Sequence, residues 1–185
     1  MDSPSMDKAA RFMQLCDSYG IAVLTLCDTP GIMVGPQAEE TALVRHAGRL
    51  LLAGANLRVP LMTVVLRRAY GVAAMAMTGG SFRTPRFVVA WPSAEFGGMS
   101  IEGGVRLAYR KELAALTDPT ERQAYFEKKV LRMYEDSKAL NIASHFEIDD
   151  VIDPATTRHW IAQVLDAHGS AREALPPAHR YLDAW

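Results

Sequence analysis

Backbone amides at one turn of small residues are the first candidate for chemistry in this chain. Tyr70-Gly71-Val72-Ala73-Ala74 follows the apolar run 61–66 and opens a stretch of small residues, as at a junction from strand to helix. The first N–H groups of a helix have no acceptor within it, so they can point at a bound oxygen. Two such donors form an oxyanion hole, which is worth roughly 3–4 kcal/mol per donor in known enzymes. Close packing of a helix on a strand explains the same small residues equally well.

Two further turns follow apolar runs in the same way. Asp28-Thr29-Pro30-Gly31 comes after the run 21–27, and Ala90-Trp91-Pro92-Ser93-Ala94-Glu95 ends the run 87–91. Beyond it lie Gly97-Gly98-Met99 and Gly103-Gly104, where bare backbone could approach a cofactor closely. Open α/β sheets bind ligands at the carboxyl ends of their strands, so all three turns are candidates for ligand contact.

Spacing argues against two familiar kinds of site. The Asp-x-x-Gly pattern of residues 28–31 also occurs at the magnesium corner of GTPases, but no G-x-x-x-x-G-K-[ST] loop precedes it here. We expect Asp28 to orient backbone groups rather than to transfer protons. Ser100 does not form a Gly-x-Ser-x-Gly nucleophile elbow, because Glu102 stands where the second glycine would be needed. We therefore expect Ser100 to be a turn or N-cap hydroxyl.

Metal and histidine chemistry lack a recognisable pattern. Cys16 and Cys27 are the only cysteines and form no C-x-x-C pair, so no structural zinc is expected. Glu95 and Glu102 lie close to the glycine turns, but they are weak candidates for acid–base catalysis. The sequence identifies no acidic or serine partner for any of the five histidines, which are His46, His145, His159, His168 and His179.

Hydrophobic periodicity predicts an α/β chain in which the turns join strands to helices. One helix is predicted over residues 9–19, ended by Gly20, and a longer one over residues 37–56. The three apolar runs predict buried strands, and residues 102–140 are predicted to be mostly helical. No linker or repeat divides the chain, so residues 1–185 are predicted to form a single domain.

Composition excludes some classes of partner. The chain has 185 residues, of which 49% are hydrophobic and 22% charged, and its net charge of −1 provides no basic stripe for nucleic acid. Its apolar stretches fall well short of the ~20 residues that span a membrane, and its first residues show no 7–15-residue apolar core with a cleavage site. A cytoplasmic protein is expected.

The ordered blocks resemble the second half of the carboxyltransferase (β) component of biotin-dependent acyl-CoA carboxylases of the acetyl/propionyl-CoA type, in the crotonase-like superfamily. The resemblance extends from Asp7 to Pro154. It implies a ClpP/crotonase ββα spiral that is incomplete at its N-terminus, because the six residues before Asp7 cannot form the family's opening strands. We therefore expect a fragment of a longer polypeptide with an unpaired sheet edge.

The resemblance also implies a function. The intact protein would move CO2 from carboxybiotin to the α-carbon of an acyl-CoA thioester, and the amides of Val72 and Ala73 would bind the ureido oxygen of biotin. The implied partners are a biotin carboxyl carrier domain, a biotin carboxylase, the N-terminal carboxyltransferase half and further copies of the chain. The isolated chain is expected to be inactive. The expected biotin and substrate contacts are Gly71, Ala74, Met75, Gly97, Gly98, Met99, Gly103 and Gly104, with Asp28, Thr29, Pro30 and Gly31 framing the pocket.

Two residues depart from the family's pattern. Gly-Gly-Ala is common where this chain has Gly71-Val72-Ala73, so Val72 must avoid a positive φ. Met75 stands where several short-chain members carry an acid. An apolar side chain at this position would favour a longer or more hydrophobic acyl group, although a core methionine explains the residue equally well. Two other functions stay open: a crotonase-like scaffold that binds a partner without catalysis, and a hydrolase or decarboxylase, for which no base is identified.

Overall fold

The structure is a computed structural model that describes residues 1–170, with side chains described as far as residue 168. Residues 171–185 of the predicted domain, which include His179, lie outside the described residues. The helices are α1 (Ser3–Tyr19), α2 (Pro36–Glu39), α3 (Leu43–Ala55), α4 (Gly71–Met77), α5 (Ile101–Ala108), α6 (Arg110–Ala115), α7 (Pro119–Ser137), α8 (Ala139–Ser144) and α9 (Thr157–Ser170). The strands are β1 (Val23–Thr29), β2 (Leu61–Tyr70), β3 (Phe87–Ala90), β4 (Glu95–Gly97) and β5 (Asp150–Val151).

The strands form one parallel sheet in which β1, β2, β3 and β5 lie in that order. Strand β4 lies off this path: β3 pairs with residues 62–65 of β2, and β4 pairs with residues 68–70 further along the same strand. On the other side of β2, Ala69 pairs with Thr29 of β1 after a shift in register. The carboxyl end of β2 therefore extends past β3 and is held between β1 and β4. The α/β class predicted from the sequence is confirmed.

Helices pack on both faces of the sheet because its central strands are apolar on both sides. On one face, Ala74 of α4 and Ala139 of α8 join the cluster that contains Val65 and Val88. On the opposite face, α9 packs against β2, β3 and Ile152, and the ring of Trp160 meets that of Phe87 edge to face at 5.5 Å. Helices α1 and α3 pack together in a further cluster that also contains Ala76 of α4.

The N-terminal helix is bounded by strong local signals. Asp2 and Ser5 form a capping box, in which each side chain bonds the other residue's backbone. Gly20 ends the helix in a left-handed conformation with φ +68°, as the sequence predicted. A buried stripe at helical spacing, consisting of Met6, Ala10, Met13 and Cys16, runs along α1.

The structure differs from the predicted elements in several places. The helix predicted over residues 37–56 is broken into α2 and α3, because Ala42 adopts a left-handed conformation with φ +55°. Strand β2 continues past its apolar run through Arg67 and Arg68 to Tyr70. These residues were expected to follow the strand, but they form its end. Strands β4 and β5 were not predicted; with three and two residues, they are too short to show periodicity.

Strand β1 lies at one edge of the sheet and, among the described residues, pairs only with β2. Leu24 and Leu26 on this strand are 38% and 52% exposed. This agrees with the expected unpaired edge. None of the helices within residues 1–170 combines the length and the apolar character that a membrane crossing requires.

A largely buried charge pair joins the end of α1 to the chain just before β2, and we predict that it is needed for stability. Asp17 accepts from the backbone N–H groups of Arg58, at 2.7 Å, and Val59, at 3.3 Å, and from the Arg58 guanidinium at 2.9 Å. Asp17→Ala would remove the acceptor that these donors share, so we expect the free energy of unfolding to fall by about 2–4 kcal/mol.

Chemical denaturation measures this loss. The control is Asp136→Ala, since Asp136 is 71% exposed and lies 3.9 Å from Arg132 one helical turn away, a kind of pair that contributes under about 0.5 kcal/mol. Equal losses in the two variants would contradict the prediction.

Candidate functional site

Strand β2 passes directly into helix α4 without a loop, and Gly71 makes this possible. Tyr70, the N-cap, is extended with φ −108° and ψ 131°, whereas Gly71 turns the chain with φ +61°. A Cβ atom at residue 71 would lie 2.9 Å from the carbonyl oxygen of Gly98. Glycine is therefore required here twice, by its backbone conformation and by the space around it.

Val72 and Ala73 follow this glycine in the first turn of α4, where amides lack acceptors within the helix. Among the described residues, Ala42 and Phe146 are the non-glycine residues with positive φ, so Val72 avoids the strained region, as expected from the sequence. No side chain of the described residues caps this helix. The two amides predicted as donors thus occupy the expected helix start.

The side chains of α4 divide into a buried face and an exposed face. Ala73, Ala74 and Ala76 are at most 1% exposed, because they pack towards the sheet and towards α3. Val72 and Met75 are 41% and 42% exposed, and their spacing of three residues places them on the same side of the helix. Met75 is therefore a surface residue beside the turn, not a core methionine.

The glycine-rich segment after β4 divides into a part at the turn and a part in α5. Gly98 contacts Gly71, and a Cβ at Gly97 would lie 3.5 Å from the ring of Tyr70. Gly103 and Gly104 belong to α5; their nearest neighbours are Ser100, Met99 and Met133 of α7. These neighbours indicate helix packing for Gly103 and Gly104. Met99 is 47% exposed, and Ser100 is the N-cap of α5, although its side chain makes no capping bond.

The Asp28 block meets the same turn through Gly31. A Cβ at Gly31, whose φ is +116°, would lie 3.6 Å from the carbonyl oxygen of Tyr70, and the Gly31 amide donates to Thr29 Oγ1 at 3.2 Å. Pro30 between them is exposed. The block thus lies against the end of β2, where a framing turn was expected.

Asp28 itself binds the neighbouring strand. It accepts from Arg67 Nη2 at 3.0 Å and from the backbone N–H of Arg68 at 3.2 Å. The hydrogen bond from Arg67 is the main cause that lowers the pKa of Asp28 below its usual value. This carboxylate orients backbone and arginine groups, in agreement with the role expected for it.

Two phenol–carboxylate pairs that the sequence did not reveal lie beside the turn. The Tyr70 hydroxyl donates to Glu95 Oε2 at 2.8 Å, and the Tyr134 hydroxyl donates to Glu102 Oε1 at 2.8 Å. Burial, followed by the hydrogen bond to Glu95, raises the pKa of Tyr70 well above its ordinary value. Both residues of the first pair lie in turns that the sequence indicates, but only the β2–β4 register brings them together.

Two of the four histidines in the described part of the chain lie beside acidic or serine groups that the sequence did not identify. His46 Nδ1 lies 2.9 Å from Asp7 Oδ2, and His145 Nδ1 lies 3.3 Å from Ser144 Oγ. The first pair joins α1 to α3, a long-range contact that periodicity cannot show. Among residues 1–170, no group of three or more His, Cys, Asp or Glu side chains is arranged to hold a metal ion.

An open groove of about 500 Å³ lies on α1. It is lined by Ser5, Lys8, Ala9, Arg11, Phe12 and Leu15. None of them belongs to the predicted site.

Comparison with known families and proteins identifies the relatives of this arrangement. The family described as the carboxyl transferase domain matches residues 1–182. The chain is 38% identical over 180 residues to the methylmalonyl-CoA carboxyltransferase 12S subunit of Propionibacterium freudenreichii subsp. shermanii, and this covers 95% of the chain and 33% of that protein. It is 35% identical over 178 residues to the propionyl-CoA carboxylase beta chain of Saccharopolyspora erythraea, covering 95% and 32%. The chain thus spans about a third of the length of these relatives.

Solved structures agree with these relatives. A single-chain, multi-domain long-chain acyl-CoA carboxylase matches with a TM-score of 0.78 and 52% identity, covering 89% of this chain and 16% of that one. The transcarboxylase 12S subunit, which forms a hexamer and was solved with methylmalonyl-CoA, matches with a TM-score of 0.84 and 36% identity, covering 98% and 34%. The fold is therefore that of the crotonase-like carboxyltransferases.

Substitution of Gly71 tests how tightly the turn is specified. Gly71→Ala would place a methyl group against the Gly98 carbonyl and force alanine to a positive φ, so we expect a loss of at least about 2 kcal/mol in the free energy of unfolding. Gly48→Ala is the control, because nothing lies within 4 Å of the place that its methyl group would take in α3, and it should gain about 0.5–1 kcal/mol. Urea denaturation of both variants checks the prediction; a Gly71→Ala variant as stable as the wild type would contradict it.

Proposed function

Since the chain belongs to the carboxyl transferase domain family, we propose that it is one part of a biotin-dependent acyl-CoA carboxyltransferase and supplies the biotin side of the site. The intact protein would transfer CO2 from carboxybiotin to the α-carbon of an acyl-CoA thioester. The observation that carries this proposal is the turn at Gly71, which ends β2 against α4 and puts the amides of Val72 and Ala73 at the helix start.

The turn suits an oxygen atom that becomes negatively charged. Bound carboxybiotin would supply the carboxyl group, and the amides of Val72 and Ala73 would face its ureido oxygen, where negative charge would develop on transfer. Amides at a helix start carry partial positive charge, and donors fixed beforehand stabilise such a charge without rearranging. The donors are backbone atoms of a turn that packs tightly against Gly98, which holds them in place.

The remaining parts of the reaction lie on partners in this proposal. A thioester enolate needs an oxyanion hole of its own, which we assign to an N-terminal carboxyltransferase half. A biotin carboxyl carrier domain would deliver the cofactor, and a biotin carboxylase would charge it. The 12S relative assembles as a hexamer, and we propose a homo-oligomer here. A cytoplasmic location would suit the two free, buried cysteines, Cys16 and Cys27.

The exposed face of α4 favours a long or bulky acyl group. Val72 and Met75 present apolar atoms beside the proposed donors, where a carboxylate would favour smaller or more polar groups. Met33 and Met99, in the segments that contact the turn through Gly31 and Gly98, are 56% and 47% exposed and add apolar surface. The solved relative at 52% identity is a long-chain acyl-CoA carboxylase, which supports the same preference.

Removal of one proposed donor tests the function. Val72→Pro deletes the N–H at the second position of α4, where the first helical turn tolerates proline, and Val72→Ala keeps that N–H. In the complete carboxylase that contains this segment, we expect kcat of biotin-dependent carboxylation to fall about 100-fold in Val72→Pro and to stay within about threefold in Val72→Ala.

The melting temperature of each variant is measured alongside, because only folded variants can be compared. Equal activity in two folded variants would show that this amide is not a donor. Absence of biotin-dependent transfer in the intact wild-type protein would overturn the proposed function and favour the non-catalytic scaffold.

The acyl preference is tested at Met75. We expect Met75→Asp to lower kcat/KM for palmitoyl-CoA about 10- to 100-fold relative to propionyl-CoA, because a long acyl chain would then lie against a carboxylate. Leu131→Asp is the matched control, since Leu131 is 68% exposed on α7 and lies outside the proposed site. If Met75→Asp reduced kcat/KM for both substrates equally, Met75 would have no part in chain-length selection.

A further inference from the structure

Tyr70 connects the turn to a neighbouring strand through its side chain. It is the N-cap of α4, but its side chain makes no capping bond. Instead the side chain is buried, with 3% exposed, and its hydroxyl donates to Glu95 of β4 at 2.8 Å. The residue directly opposite Tyr70 in the β2–β4 pairing is Gly97, so the phenol ring can cross this strand and reach Glu95 two residues earlier.

The end of β2 needs such an anchor. Its last three residues extend beyond β3 and, within residues 1–170, pair only with β4 on that side. Gly71 follows at once, and glycine restrains the chain direction less than any other residue. The orientation of the Val72 and Ala73 amides therefore depends on how firmly Tyr70 is held.

Glu95 is itself held by its surroundings. It forms an antiparallel bridge with Lys138, which lies between α7 and α8. The second phenol–carboxylate pair, Tyr134 with Glu102, joins α7 to α5 nearby. Electrostatic interaction with both of these side chains also raises the pKa of Tyr70. Burial and Glu95 raise the pKa of Tyr70, so the phenol stays protonated and remains a donor throughout the neutral range.

We propose that Tyr70 and Glu95 are a positioning pair, whose hydrogen bond fixes the end of β2 against β4 and so aims the amides of Val72 and Ala73 at the ligand oxygen. The catalytic part of this inference rests on the proposed function, whereas the positioning part concerns the chain alone. Neither side chain touches the substrate in this proposal. Their effect reaches it through the backbone of the turn.

The test compares variants of the complete carboxylase that break or keep the hydrogen bond. Tyr70→Phe and Glu95→Ala each remove it, whereas Glu95→Gln removes the charge but keeps an acceptor. Tyr125→Phe is the matched control, since Tyr125 is a half-buried tyrosine of α7 whose ring contacts Tyr109 and Lys129. Two readouts are used: steady-state carboxylation of acyl-CoA, at a temperature where every variant is folded, and amide hydrogen exchange of the paired strand ends, residues 68–70 and 95–97.

The expected pattern separates positioning from a general structural effect. Tyr70→Phe and Glu95→Ala should each lower kcat about 10-fold or more, with KM for acyl-CoA within about twofold, and the double variant should lose no more than either alone. Glu95→Gln should retain kcat within about threefold. Exchange of the paired residues 68–70 and 95–97 should become about 10-fold faster in Tyr70→Phe and stay unchanged in Tyr125→Phe.

Two results would overturn the inference. The first is an active wild type whose Tyr70→Phe variant keeps its kcat; the second is exchange at residues 68–70 and 95–97 that does not respond to Tyr70→Phe. An inactive wild type would overturn the proposed function instead, and the exchange experiment then decides the positioning role by itself.

Discussion

The contact between Gly71 and the carbonyl oxygen of Gly98 is the constraint on which the rest of this structure depends. A strand that enters a helix without a loop must change from an extended to a helical backbone within one residue. Here that residue is Gly71, with φ +61°. The Gly98 backbone fills the space that a side chain would occupy. The chain after β3 must therefore return to the end of β2, which explains why β4 pairs there and not beside β3. Sheet, turn and glycine segment form a single packing unit.

Three carboxylates beside this unit accept hydrogen bonds from neighbouring groups. Asp28 accepts from Arg67 and from the Arg68 backbone, and Glu95 and Glu102 accept from Tyr70 and Tyr134. The exposed side of α4, in contrast, is formed by Val72 and Met75. A ligand at this surface would thus meet backbone N–H groups and apolar atoms. Such a surface suits a neutral ureido ring and a hydrocarbon chain better than it suits a strongly charged group.

The parts of the site that sequence predicted are those set by local conformation. The strand-to-helix junction at Gly71, the helix end at Gly20 and the ordinary backbone of Val72 follow from residues next to one another. Partners distant in sequence were missed, because the Tyr70–Glu95 bond depends on strand register and the His46–Asp7 pair on how α1 meets α3. The break at Ala42 was also missed, since alanine favours helix and gives no sign of a left-handed turn.

The use of backbone donors explains how this chain can depart from the Gly-Gly-Ala pattern without losing the proposed chemistry. Within Gly71-Val72-Ala73, only Gly71 has a positive φ. Val72 therefore keeps an ordinary helical backbone and still carries its N–H. The side chains of residues 72 and 75 lie on the exposed face of α4 and belong to neither of the core clusters that contain its buried residues. Changes at these two positions can therefore alter which acyl group fits while the donors stay in place. In the proposed site, substrate range and carboxyl transfer would thus be specified by different atoms of the same helical turn.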